Sequence, residues 1–209
     1  MQRTLYLIAM PALSESEIAE HLRPYLPDAA AAALLPQLST YLDLLLKWNA
    51  RTNLTAVRDP GEIVRRHFGE SLFAARHIEP GTLTLLDFGS GAGFPGIPVA
   101  LLRPEIQVTL AESQNKKATF LREAVRTLGL TAEIWPARVE SMPVSHRFQA
   151  VALRAVDHMD AALLAARSRI LPGGQLVLLT TAADAPVAGL SLPIPSSAAG
   201  VVYVETLLC

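Results

Sequence analysis

Residues 85–98 read LLDFGSGAGFPGIP, an apolar run ending in one acid, Asp87, with four glycines and two prolines close behind it. A strand, a glycine-rich turn and a helix together make a nucleotide-binding device, because glycine lets the backbone approach a ligand and the helix start offers free N–H groups. Two registers fit. Gly91, Gly93 and Gly96 satisfy G-x-G-x-x-G, the dinucleotide pattern, with Glu112 placed to hold a ribose hydroxyl. Asp87, Gly89, Gly91 and Gly93 also satisfy D-x-G-x-G-x-G, which sets a carboxylate at the tip of the strand. An anion there repels a pyrophosphate and suits a ligand bearing an amine or sulfonium. Glu112 serves the ribose in either case, so Asp87 is the residue that selects S-adenosyl-L-methionine over a nicotinamide cofactor. A tight turn that binds nothing is the plain alternative.

The flanking sequence supplies elements to hold such a loop. Apolar strands are predicted at 82–88, 106–111, 132–135, 148–153 and 175–180, alternating with helices, which is the pattern of a parallel sheet covered on both faces. One helix is expected from a cap at Ser113 through Ala118, Leu121, Ala124, Val125 and Leu128 to a stop at Gly129. LPGG at 171–174 reads as a turn, 182–200 as irregular and VVYVETL as a last strand. The first 80 residues read as all helix. Ser14 and Glu17 form a capping box, and Pro24 and Pro27 end that first short helix. Leu38, Tyr41, Leu42, Leu45 and Trp48 then make one buried stripe, and Asp59 with Pro60 restarts a helix carrying Ile63, Val64, His67, Ser71, Leu72 and Ala75 on one side. The expected division is a helical part at 1–80 and a sheet domain at 81–209.

Composition bounds the rest. The 209 residues are 51% hydrophobic and 18% charged with net charge −1, which excludes wholesale disorder and a protein that coats polyanions with its whole surface. The only cysteine is Cys209, so neither a disulfide framework nor a cysteine metal site is expected, and the reading is cytoplasmic. The N-terminal apolar run is broken by Pro11 and followed by acids, unlike a signal peptide. No stretch approaches the roughly 20 uninterrupted apolar residues of a membrane helix.

Six blocks, NLTAVRD, RRHFGES, LLDFGSGAGFPGIPVALLRPE, LAESQNKKATFLREA, ARVES and LRAV, occur in the order and spacing of one bacterial family. Over roughly residues 38–180 the chain resembles the glucose-inhibited division protein B family of small-subunit ribosomal RNA guanine-N7 methyltransferases. The resemblance implies a class I S-adenosylmethionine-dependent methyltransferase, an α/β Rossmann-like fold with a seven-stranded, mostly parallel sheet and an N-terminal helical subdomain. It implies methylation of guanine N7 in the decoding-region loop of 16S ribosomal RNA by a monomer that meets no membrane and holds no metal. It places cofactor contacts on Gly89, Ser90, Gly91, Gly93, Phe94 and Glu112, with Val139 and Glu140 on the adenine side and Arg154 facing the site as a further cofactor contact. Glu70 stands where the family usually has Asp, Leu153 where a serine commonly precedes the arginine, and LTT at 179–181 where Leu-Lys-Gly is usual. No Lys or Arg follows Arg169, although the family usually ends in basic residues, so phosphate contacts from that end are expected to be weak.

Residues 47–77 carry a local excess of positive charge that suits a phosphate backbone, although a solvated helix face has the same composition. Arg51, Arg58, Arg65, Arg66, Lys116 and Arg138 are the candidates to meet RNA, the lysine being equally at home in solvent. Asn53 and Thr55 either cap the following segment or touch substrate. His67 is a hydrogen-bonded, semi-buried histidine unless the family role transfers, in which case it joins Arg154 and Asn53 at the reacting atoms. No cysteine nucleophile sits near a motif and no Asn-Pro-Pro or Asp-Pro-Pro segment is present. Guanine N7 needs neither, since it has a free lone pair and no proton to remove. The mechanism expected is in-line methyl transfer helped by alignment and charge handling. The alternatives are a cofactor-binding relative that acts elsewhere and, third, an NAD-binding oxidoreductase.

Overall fold

The computed structural model describes residues 12–156 and 158–207. The N-terminal run read against a signal peptide and Cys209 lie outside them. The described chain begins with α1 (Glu15–Leu22), closed by the expected capping box, in which Ser14 and Glu17 each bond the other's backbone. The next helix, α2 (Asp28–Thr52), starts ten residues before its amphipathic stripe, because the alanines ahead of Leu34 propagate a helix without helping to define a face. By length and composition α2 is long and apolar enough to cross a membrane. Its stripe of Leu38, Tyr41, Leu42 and Leu45 is nevertheless fully buried in the protein core.

After α2, Asp59 caps the short α3 (Pro60–Glu62), accepting the Glu62 N–H at 2.8 Å. The helix expected to continue through 75 instead widens into a π-helix (Ile63–Gly69) before α4 (Glu70–Ala75). Such wide turns collect at functional sites. This one carries Arg66 and His67.

The remainder is a seven-stranded sheet in the order β3-β2-β1-β4-β5-β7-β6. Its strands are β1 (Thr84–Phe88), β2 (Gln107–Ala111), β3 (Glu133–Trp135), β4 (Phe148–Arg154), β5 (Ile170–Thr181), β6 (Leu190–Pro193) and β7 (Gly200–Thr206). The first five run parallel, and β7 runs antiparallel to both β5 and β6. Three expectations need correction. The stretch 182–200 holds β6, an exposed edge strand whose Pro193 and outward residues give no period. LPGG belongs to β5, entered through a register shift opposite Phe148 and Ala150. The helix α6 (Asn115–Leu128) has Gln114, not Ser113, at its N-cap, while Gly129 closes it in the left-handed conformation as expected.

Alternation along β1 assigns the layers. Leu85 packs with α2, the π-helix, α5 (Gly96–Leu102) and α6 in one continuous apolar core, while Leu86 and Phe88 face α7 (Met159–Ser168). The strand order reverses direction between β1 and β4, so their C-terminal ends open a crevice, the place where sheets of this kind bind ligands.

Candidate active site

A cavity of about 540 Å³ occupies that crevice, a volume within the range of small-molecule sites. Its floor is the loop after β1, where Gly89, Ser90, Gly91, Ala92 and Phe94 line the space. Gly89 and Gly91 hold φ of +72° and +57°, conformations that a side chain rarely adopts. A Cβ on Gly91 would meet nothing closer than the Gly89 carbonyl at 3.9 Å, so this backbone stays bare toward the cavity.

Glu112 forms the end wall just past β2. It is 7% exposed, and its Oε2 accepts the Gly91 N–H at 3.0 Å while its Oε1 accepts the Gln114 N–H at 2.7 Å. These bonds aim the carboxylate and leave each oxygen a further lone pair for a ligand hydroxyl. Val139 and Glu140, from a 3-10 turn after β3, line the same side.

Arg154, the last residue of β4, lines the opposite side. Its Nη2 donates to the Arg66 carbonyl and to Glu70 Oε2, each at 2.7 Å, and its Nη1 is buried with no partner among the described residues. Burial disfavours the guanidinium charge and Glu70 favours it. His67 reaches the cavity from the π-helix. Its ring lies 5.0 Å from that of Phe94 at 26°, and its Nε2 shares a 2.8 Å hydrogen bond with the Thr55 hydroxyl. Burial, helped by Arg154 and Arg66, pulls its pKa down to about 3. It is therefore neutral at physiological pH.

Several expected site residues stand elsewhere. Asp87 is fully buried beneath the loop, does not line the cavity, and accepts the Gly96 N–H at 3.0 Å. Burial pushes its pKa up to about 7, so it is no dependable anion for a sulfonium. Glu112 is the carboxylate that lines the cavity between the loop and α6. Gly93 also lies behind the lining, where a Cβ would stand 2.5 Å from Ile97 and 2.7 Å from Tyr41. Asn53 is exposed at the C-cap of α2, bonded through Oδ1 to Arg58, and it is Leu54 and Thr55 that line the cavity. Arg58 also donates to the Asn49 carbonyl, and Arg65 is held by Glu62 and His21, so both arginines have partners within the fold. Arg51, Arg66, Lys116 and Arg138 are exposed; of these only Arg138 lines the cavity, joined there by Lys117.

Sequence reasoning missed two supports. Tyr41, indistinguishable from a core residue in a helical stripe, donates its hydroxyl to the Ala92 carbonyl at 2.5 Å and so ties α2 to the glycine loop. Glu70 carries no sign in the sequence of its partner on β4.

The family model described as GidB, rRNA small subunit methyltransferase G, matches residues 34–186. Ribosomal RNA small subunit methyltransferase G of Stenotrophomonas maltophilia is 44% identical over 149 residues, covering 71% of this chain and 69% of its own. Its counterpart from Xanthomonas campestris is 41% identical over 172 residues, covering 82% and 79%. Among solved structures, the ribosomal protein L11 methylase of Lactobacillus delbrueckii superposes with a TM-score of 0.55 at 12% identity, covering 68% of this chain and 79% of that one, a likeness of fold alone.

Proposed function

The chain belongs to the GidB family, rRNA small subunit methyltransferase G, and on that premise we propose that it methylates N7 of a guanine in 16S ribosomal RNA. It is a methyltransferase, and S-adenosyl-L-methionine supplies an electrophilic methyl on a sulfonium. The observation that carries the reading is one cavity with a bare glycine loop and an aimed carboxylate at one end and a buried, paired arginine at the other. A nicotinamide oxidoreductase is not favoured by the family.

The residues present fit that cofactor. Glu112 accepts the ribose hydroxyls, Gly89 and Gly91 leave room for the chain between them, and Val139 and Glu140 border the adenine. Asp87 acts from below by fixing Gly96 and the start of α5. The part from 81 to 209 thus supplies the cofactor floor, and the helical part at 1–80 supplies the wall that meets substrate.

Beside that wall, at the end of β4, Arg154 Nη1 is a buried donor without a partner among the described residues, and such a group costs free energy until an acceptor reaches it. The carbonyl oxygen beside N7 of guanine is such an acceptor, whereas adenine presents an amino group there. His67, held neutral, adds no positive charge next to a purine that is becoming cationic. Alignment and electrostatics then carry the rate, since N7 has no proton to lose. Asn53 braces the Thr55 loop through Arg58 and does not touch the reacting atoms. We place the protein in the cytoplasm, as a monomer, where its substrate is found. Labelled cofactor and small subunits lacking the mark test the reading: label in 16S RNA supports it. Cofactor binding without transfer leaves a relative with another substrate.

A further inference from the structure

The lysines and arginines among the described residues divide into two sets. One set is engaged internally: Arg58, Arg65 and Arg154 as above, Arg23 on Asp28, Arg76 on the Tyr25 carbonyl, Arg103 on Glu105, Arg167 on Glu205 and Arg169 on the Met142 and Pro143 carbonyls. The other set has no side-chain hydrogen bond or ion pair among the described residues, and most of it lies together. Lys47 and Arg51 stand one turn apart on the exposed face of α2, and Lys116, Lys117, Arg122 and Arg126 follow along α6.

These helices pack antiparallel. Gln37 Nε2 donates to the Leu128 carbonyl at 3.2 Å, and further along α2 Trp48 Nε1 donates to Glu123 Oε2 at 3.1 Å, with its ring edge-on to Phe120. One more turn along each helix brings Arg51 toward the start of α6, beside Lys116 and Lys117. That end opens on the cavity, which Lys117 lines together with Leu54 and Thr55, the residues that follow α2. Arg138 continues the rim there. The acids on the same face are engaged: Glu123 holds Trp48, and Asp43 accepts the Ala12 N–H. The opposite sheet edge, β7 and β6, has no Lys or Arg at all.

We propose that the face built by the C-terminal half of α2 and by α6 is the docking surface for the phosphate backbone of RNA flanking the target guanine. The proposal rests on the function given above. Cations without internal partners exchange counterions for phosphates at no loss of protein contacts, and their continuity with the cavity leads a strand into it.

The test compares Lys47→Ala/Arg51→Ala and Lys116→Ala/Arg122→Ala with wild type in binding a 16S RNA transcript and small subunits across a salt series. Arg147→Ala, an exposed cation on no site element, is the control. Each double variant should weaken RNA binding at least several-fold and flatten the plot of log affinity against log salt by about 1.5, with cofactor affinity and melting temperature unchanged. Unchanged RNA affinity and slope would overturn the docking surface. So would variants that lose subunits but keep naked RNA, which would assign the face to ribosomal protein. Absence of methyl transfer by the wild type would instead overturn the functional reading on which the surface rests.

Discussion

Arg154 and Glu70 stand 84 residues apart in sequence and 2.7 Å apart in space, joining the end of β4 to the first residue of α4. Both side chains are only 14% exposed, so each depends on the other for compensation of a largely buried charge. Glu70→Ala should cost about 3 kcal/mol of stability in denaturant unfolding, because it strands a guanidinium. Arg154→Ala should lower kcat by about 10²-fold or more, and the double variant should be destabilised by less than the sum of the singles. Additive losses would show that the pair is not coupled.

Cofactor affinity should separate the two buried acids. Glu112→Ala should weaken S-adenosylmethionine binding by about 10- to 100-fold, the range for hydrogen bonds to a charged group. Asp87→Asn should change it little, since Asp87 does not line the cavity. Calorimetric titration of both variants decides the matter.

His67 and Asp87 predict opposite pH slopes. His67 has a folded pKa of about 3 against an ordinary 6.5, so the unfolded chain binds more protons and stability is lost as pH falls from about 6.5 toward 3. Asp87, raised from 3.8 to about 7, contributes stability below pH 3.8 that is lost as pH rises toward 7. Each slope approaches about 1.4 kcal/mol per pH unit between its two pKa values. Unfolding free energies at pH 4.5, 5.5 and 6.5 should show His67→Asn gaining on wild type as pH falls and Asp87→Asn gaining as pH rises.

Gly96 and Gly91 should respond differently to alanine. A Cβ on Gly96 would stand 2.3 Å from Leu110 Cδ2 and 2.6 Å from Asp87 Oδ2, so Gly96→Ala should lower the melting temperature through a core clash worth about 1–3 kcal/mol. Gly91→Ala meets open space at φ +57°. The left-handed backbone should still cost about 1–2 kcal/mol of stability, and cofactor affinity should fall as well, because the side chain enters the cavity floor.

What was legible in the sequence follows from local chemistry. The β1–loop–β2 device could be read because glycines, strand hydrophobicity and an acid at fixed spacing all act within one segment. The helix ends at Ser14, Asp59 and Gly129 were readable for the same reason. Asp87 was misplaced because its position at a strand tip says nothing of which face it occupies; alternation with buried Leu86 and Phe88 turns it toward α5. Glu70, Tyr41 and the division of arginines into engaged and free sets depend on contacts across the sheet, which no spacing along the chain encodes. The edge strand β6 was hidden because an exposed strand next to one partner needs no apolar alternation.

Methyl transfer to guanine N7 is put to the test by incubating small subunits lacking the modification with labelled S-adenosylmethionine and cleaving the 16S RNA chemically at N7-methylguanosine. Label should appear in the RNA with one cleavage site, both lost with Arg154→Ala while cofactor binding persists. Labelled RNA without such a cleavage site, or cofactor binding with no label in RNA, would contradict it.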